Sequence, residues 1–145
     1  MYKKIVTFNI GKDRFGFNIS KVDSVDSKNI IDKVSGLSEM PNASEYVEGM
    51  FQYRDKVIPC INLAKVLGYE QGSLDKVVIT QFNGGLYAFV VQSPLNIENV
   101  EGLELEKVPS VVTNEDRLLK GIFKINNEIT KFLSLENIYD KVSNK

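Results

Sequence analysis

The chain contains no histidine. That removes the commonest general base, the commonest metal ligand and every Ser-His or Cys-His nucleophile pair. Cys60 is the sole cysteine, so no internal disulfide forms and no Cys/His zinc site can be assembled. The longest apolar run, Leu86-Tyr87-Ala88-Phe89-Val90-Val91, falls far short of the about 20 residues that a helix needs to cross a bilayer. After Lys3-Lys4 the apolar stretch is only Ile5-Val6-Thr7-Phe8, shorter than the about 7–15 residues of a secretory core. No glycine-rich phosphate loop is present; Gly84-Gly85 follows Asn83 between two strand-like runs, which is hairpin chemistry. Neither sign of charge is in excess. Eighteen Lys and Arg against 19 Asp and Glu leave a net charge of -1, so no global field draws the chain to nucleic acid or an anionic membrane. The acidic groups Asp23/Asp26 and Glu101, Glu104 and Glu106 match neither a calcium loop nor a glycosidase pair, and read as solvated charge. These exclusions predict a cytoplasmic protein that is not an enzyme, with no metal, cofactor, nucleic-acid partner or direct membrane insertion.

What is present is a repeat. Shifting the chain by 72 positions brings Gly49-Met50-Phe51 onto Gly121-Ile122-Phe123 and Arg54-Asp55 onto Asn126-Asn127. Leu63 meets Leu135; Phe15, Phe17 and Ile19 meet Tyr87, Phe89 and Val91; Lys4 and Val6 meet Lys76 and Val78. Identities are few, but apolar phase, glycines and turn residues keep register together. Self-similarity at a fixed period marks copies of one structural unit.

Each copy reads as short strands closed by a helical turn. Lys3 to Ile10 alternates, with Ile5 and Thr7 on one face and Val6, Phe8 and Ile10 on the other. Gly11-Lys12-Asp13 turns the chain into Arg14–Ile19. A short turn is expected at Ser20–Val25, a strand at Ile30–Val34 and a loop over Ser35–Ser44 with Pro41. Val47–Tyr53 and Lys56–Ile61 form a hairpin around Arg54-Asp55. Asn62 is placed to cap a helix over Leu63–Leu67 that stops at Gly68. The second copy gives strands at Lys76–Phe82 and Leu86–Val91, then a separate strand at Leu95–Val100 beyond Pro94. A polar stretch with Pro109 follows, then strands at Leu118–Ile125 and Glu128–Leu133. Ser134 caps a last helix to about Tyr139, and the tail from Lys141 is expected to fray. The fold class predicted is all-β: two five-stranded barrels related by the repeat, with short helices including a C-terminal one. The boundaries are about 4–70 and 75–140 within a single domain spanning 1–145. A core of roughly 70 residues is marginal alone, so the halves should share an interface, with strands exchanged between them.

The segment from Gly49 to Leu63, with Arg54 in its turn and Pro59 in its return strand, resembles the signature of the CheW family of bacterial chemotaxis coupling proteins. Phe15-Gly16-Phe17-Asn18-Ile19 resembles the family's first hairpin return, and Val22-Asp23-Ser24-Val25 its Val-x-Glu-Val element. Pro41, Tyr46-Val47, Leu119-Lys120-Gly121-Ile122 and Phe132-Leu133-Ser134-Leu135 keep the family's order, over about residues 3 to 140. The resemblance implies two SH3-like barrels around a shared core and no catalysis. It implies an adaptor that bridges the cytoplasmic hairpin tip of a chemoreceptor to the regulatory domain of a histidine kinase. The tip would enter the groove between the barrels, and outer barrel surfaces would meet the kinase.

By the same resemblance the candidate receptor-binding residues are Val22, Ser24, Gly49 and Arg54. Arg54 can fork onto a receptor carboxylate, or stand at its hairpin tip without a partner. Val22 can anchor a receptor helix or belong to the core, and Met50 and Tyr53 share that ambiguity. Gly49 and Gly121 suit close backbone approach or a bulge, with Gly49 also a groove residue. Cys60 reads as a buried inert thiol. Two departures stand out. Ser24 replaces the acid that family members often pair with the turn arginine, although Asp23 and Asp26 are near in sequence, and Asp55 replaces the turn glycine. One alternative they leave open is a divergent CheW-like scaffold of a non-motility kinase array that has lost receptor docking. Another is a small barrel that stacks nucleic-acid bases on its aromatics, for which the charge excess is missing.

Overall fold

The computed structural model describes residues 2–27, 45–70, 74–108 and 115–143. The strand expected at Ile30–Val34, the loop with Pro41 and the segment around Pro109 lie outside the described residues. Among the described residues nine strands run in order: β1 (Lys4–Ile10), β2 (Asp13–Asn18), β3 (Val22–Ser27), β4 (Val47–Tyr53), β5 (Lys56–Asn62), β6 (Lys76–Phe82), β7 (Gly85–Asn99), β8 (Leu119–Ile125) and β9 (Glu128–Leu133). Helix α1 (Leu63–Leu67) follows β5 and helix α2 (Leu135–Ser143) follows β9. The all-β class with short helices is the class expected.

The repeat is carried into the elements. β1 and β6 begin and end 72 residues apart, and so do β4 and β8. The parallel pairing Gly16↔Phe132 has its counterpart in Cys60↔Ala88, the same register with the copies interchanged. The irregularity between Val47 and Gly49 recurs between Leu119 and Gly121.

The ladders cross between copies. One lobe joins β1 and β2 to the second half of β7 and to β8 and β9; the other joins β6 and the first half of β7 to β3, β4 and β5. Each lobe therefore takes its first two strands from one copy and its other three from the other. In the first lobe, Glu106 bridges back to Ile122 on β8, with backbone hydrogen bonds of 2.9 and 2.7 Å.

Two sequence expectations are corrected here. Ser20–Val25 is a single 3-10 turn at Ile19–Lys21 followed directly by β3. Pro94 does not divide two strands, because β7 runs through it. Its missing N–H costs no ladder bond there: pairing to β6 ends at Val91, and pairing to β1 skips from Gln92 to Asn96.

Strand alternation sorts the side chains of the described residues between three cores. Ile5 faces the interior of the first lobe with Val100, Phe123 and Phe132. Val77, Ile79, Ala88 and Val90 fill the second with Ile58 and Cys60, the buried thiol. The opposite faces, including Phe8, Phe15, Val78 and Val91, meet in a larger shared core with residues of both helices. At its centre Phe17 touches Phe89, its own counterpart one repeat away, with ring centroids 5.3 Å apart.

Turn chemistry follows the sequence. Arg54 and Asp55 (φ 48° and 65°), and Asn126 and Asn127 (φ 52° and 66°), take left-handed conformations in two-residue hairpin loops. Asn62 accepts a hydrogen bond from the Lys65 N–H at 3.0 Å, and Gly68 (φ 82°) ends α1. Ser134 caps α2 in the same way, accepting from Asn137 N–H at 3.2 Å. The position matching Gly68 is Asp140, and α2 continues to Ser143 instead of stopping. Lys141 is not frayed: its Nζ donates to the Val66 carbonyl at 2.8 Å, at the C-terminal end of α1.

A polar cluster pins the first hairpin. Lys131 Nζ donates to Glu115 at 2.9 Å and to Asp13 at 3.3 Å, and the Tyr69 hydroxyl meets both carboxylates. The Tyr69 hydroxyl and the Lys131 charge hold Asp13 below the usual carboxylate range, against the opposing effect of burial. Burial disfavours the Lys131 charge, but Glu115 and then Asp13 outweigh it and raise the pKa.

Because the lobes share strands and a core, Phe89→Ala is expected to cost about 3–5 kcal/mol with urea unfolding still a single transition by fluorescence and circular dichroism. Separate transitions would show the lobes to be independent. For the polar cluster, the Asp13 contribution is complete above its unfolded value of 3.8 and is lost as pH falls through the lower folded value. The Lys131 contribution is complete below 10.5 and is lost as pH rises through the higher folded value. Thermal melts across pH should show both limbs. The Tyr69 hydroxyl, pushed up by burial first and then by Asp13 and Glu115, adds to the alkaline limb, so Lys131→Met should reduce that limb without removing it.

Candidate functional site: the cleft between the lobes

Where β3 of one lobe faces the second half of β7 in the other, a cleft of about 290 Å³ opens. Val22, Ser24 and Val25 line one wall, and Leu95, Asn96 and Ile97 line the other. The walls are counterparts in the repeat: Val25 and Ile97 are 72 residues apart, as are Ser24 and Asn96. Val25 is 47% exposed and Ile97 62% exposed, so the cleft mouth is apolar on both sides. Val22 and Leu95 are half-buried and pack on the shared core at the cleft floor. Val22 is thus both a core residue and a cleft residue, and the two sequence readings of it are compatible.

Ser24 connects the cleft to the β4–β5 hairpin tip. Its Oγ lies 2.8 Å from the Tyr53 hydroxyl, which donates to Asp23 Oδ2 at 2.7 Å. The same Asp23 oxygen accepts from Arg54 Nη1 at 3.2 Å. Arg54 also lies over the Tyr53 ring, 5.0 Å from its centroid. Burial first, and then the Asp23 carboxylate, push the Tyr53 hydroxyl above the usual tyrosine range, which keeps it a donor.

This corrects two sequence readings. Arg54 is not a partnerless arginine, because Asp23 supplies the carboxylate that Ser24 does not. Nor is Asp23 merely solvated charge. What the sequence missed is that the β3–β6 register shifts between Val22 and Ser24, leaving Asp23 as the extra residue. The signal that was available is the repeat itself, which sets Ile97 on Val25 and so marks both cleft walls.

Gly49 is not brought to the cleft. It sits on β4 where the β4–β5 register shifts, and a Cβ there would meet no described atom within 4 Å. At Gly121 the close-approach reading holds: a Cβ would lie 2.4 Å from the Glu106 carbonyl oxygen.

The sequence matches the CheW-like domain family over residues 4–143. The chain belongs to the CheW-like domain family. Chemotaxis protein CheW of Thermotoga maritima is 21% identical over 144 residues, covering 98% of this chain and 91% of that protein. Chemotaxis protein CheW of Treponema pallidum is 32% identical over 110 residues, 75% of this chain and 56% of that one. Chemotaxis protein CheV3 of Helicobacter pylori is 29% identical over 133 residues; the match takes in 87% of this chain but 41% of CheV3. Among solved structures, the scaffolding protein TtCheW from Thermoanaerobacter tengcongensis superposes with a TM-score of 0.79 at 24% identity, covering all of this chain and 92% of that one. That likeness establishes the CheW fold of paired β-barrels. No helix among the described residues is long and apolar enough to cross a membrane.

The Arg54 side chain is 68% exposed, and an exposed ion pair contributes only about 0–1 kcal/mol. Arg54→Ala should therefore leave the thermal midpoint within about 4 °C of the parent, measured by calorimetry. A larger fall would assign Arg54 to structure.

Proposed function

We propose that this CheW-like protein is a non-catalytic coupling element of bacterial chemotaxis. It holds the cytoplasmic hairpin tip of a chemoreceptor and the regulatory domain of a histidine kinase on one rigid body. The observation that carries this reading is the apolar cleft on the repeat axis, with Val25 and Ile97 exposed at its mouth. An amphipathic helix docks by laying its apolar face into such a groove. Val22 and Leu95 are the floor it would touch, and Ser24 and Arg54 the polar rim at one end. A docked tip would contact both lobes at once, and the shared core would make them respond together.

The kinase side is assigned to the outer faces. Val57 on β5 and Ile129 on β9 are exposed, lie outside the cleft, and are counterparts in the repeat. On this reading the protein works in the cytoplasm, and control of the kinase is a coupling between two binding equilibria. The pairing of Arg54 with Asp23 favours a working receptor dock over a scaffold that has lost it.

The test is calorimetric titration against a receptor helical hairpin and, separately, a kinase regulatory domain. Both should bind. Val25→Asp with Ile97→Asp should abolish receptor binding and spare the kinase domain, while Val57→Asp with Ile129→Asp should do the reverse. Failure of the parent protein to bind either partner would overturn the assignment.

A further inference from the structure

We propose that Tyr53 and Asp23 are positioning residues that hold Arg54 at the rim of the cleft, so that the docking arginine is oriented before a partner arrives. The inference deepens the coupling reading and, as far as partner binding is concerned, rests on it.

Three observations converge. Val22 pairs with Thr80 and Ser24 with Ile79, so Asp23 is left over in the ladder and its side chain is re-aimed by the bulge. The Tyr53 hydroxyl bonds two consecutive residues of β3, Asp23 at 2.7 Å and Ser24 at 2.8 Å, which ties the end of β4 to the cleft wall through one stiff ring. Finally, a single oxygen, Asp23 Oδ2, serves both Tyr53 and Arg54, and the guanidinium stacks on the ring of the residue beside it.

The consequence is a difference between the two ends of the cleft. Leu95, Asn96, Ile125 and Asn126 stand where the other copy has Asp23, Ser24, Tyr53 and Arg54. At these four positions the first copy alone therefore carries a cation, Arg54. A helix entering the cleft gains when it brings a carboxylate to Arg54, because a planar guanidinium binds a carboxylate through two parallel donors. Fixing the arginine beforehand reduces the ordering cost that a long side chain otherwise adds on binding.

The orientation can be read without any partner. In nitrogen-labelled protein the Arg54 Nε–Hε heteronuclear relaxation should report a restrained side chain, and Tyr53→Phe and Asp23→Ala should each release it. An Arg54 already as mobile as a frayed terminus in the parent protein would overturn the inference. In titrations with a receptor helical hairpin, both variants should weaken binding about five- to tenfold with unchanged thermal midpoints. Adding Ser24→Glu to Asp23→Ala should restore affinity, since a carboxylate on the adjacent residue can reach the same hydroxyl. Ser24→Glu alone should gain nothing. Equal affinity of Tyr53→Phe, Asp23→Ala and the parent would also overturn the proposal. A parent that binds no hairpin would instead count against the coupling reading, with the relaxation result still deciding the role of Tyr53 and Asp23.

Discussion

The contact on which the molecule depends is Phe17 against Phe89. These two rings are the same residue of two copies, and they meet where the lobes join. Around them, β1, β6 and β7 each turn one face toward a lobe interior and the other toward the common core, to which β2 adds Phe15. A lobe interior of a few aliphatic and aromatic residues is too small to stabilise five strands alone. The common core supplies the remainder, and it exists only when both copies are folded against each other.

That dependence explains why some of the architecture could be read from the residues and some could not. Hairpins and caps are local. Asn126-Asn127 needs only its own backbone preference, and Gly68 ends α1 because nothing else in reach takes the left-handed conformation so readily. The 72-residue period survives because both copies must fill equivalent space. Partner choice is different. Alternation in β2 and β9 tells which side chains share a face, but not that Arg14 to Gly16 will run parallel to Thr130 to Phe132. The passage of β7 through Pro94 was equally hidden, since proline reads as a break unless the ladder is known to change partners there.

The site shows the same division. Val22, Ser24 and Arg54 were candidates from the resemblance of their segments; Val22 and Ser24 line the cleft, and Arg54 is linked to Ser24 through Tyr53 and Asp23. The acid that meets Arg54 was sought at Ser24 and lies at Asp23, because a bulge moves a side chain to the other face without leaving a mark on composition. Tyr53 looked like one more strand aromatic until its hydroxyl was found between two strands. The cleft itself arises from the symmetry: β3 and its counterpart in β7 lie across the axis from each other, so an apolar residue at that position appears on both walls.

The exchange of strands has a topological consequence for how the two copies have been free to change. A solitary copy owns all five strands of a lobe yet cannot close them upon themselves in this arrangement, because its third strand pairs with the first strand of its sibling. It would be half of an interlocked homodimer. Joining the halves in one polypeptide fixes their stoichiometry and removes the requirement that they stay alike. Arg54-Asp55 at one tip and Asn126-Asn127 at the other are what that freedom permits: a molecule with twofold bones and a one-sided surface.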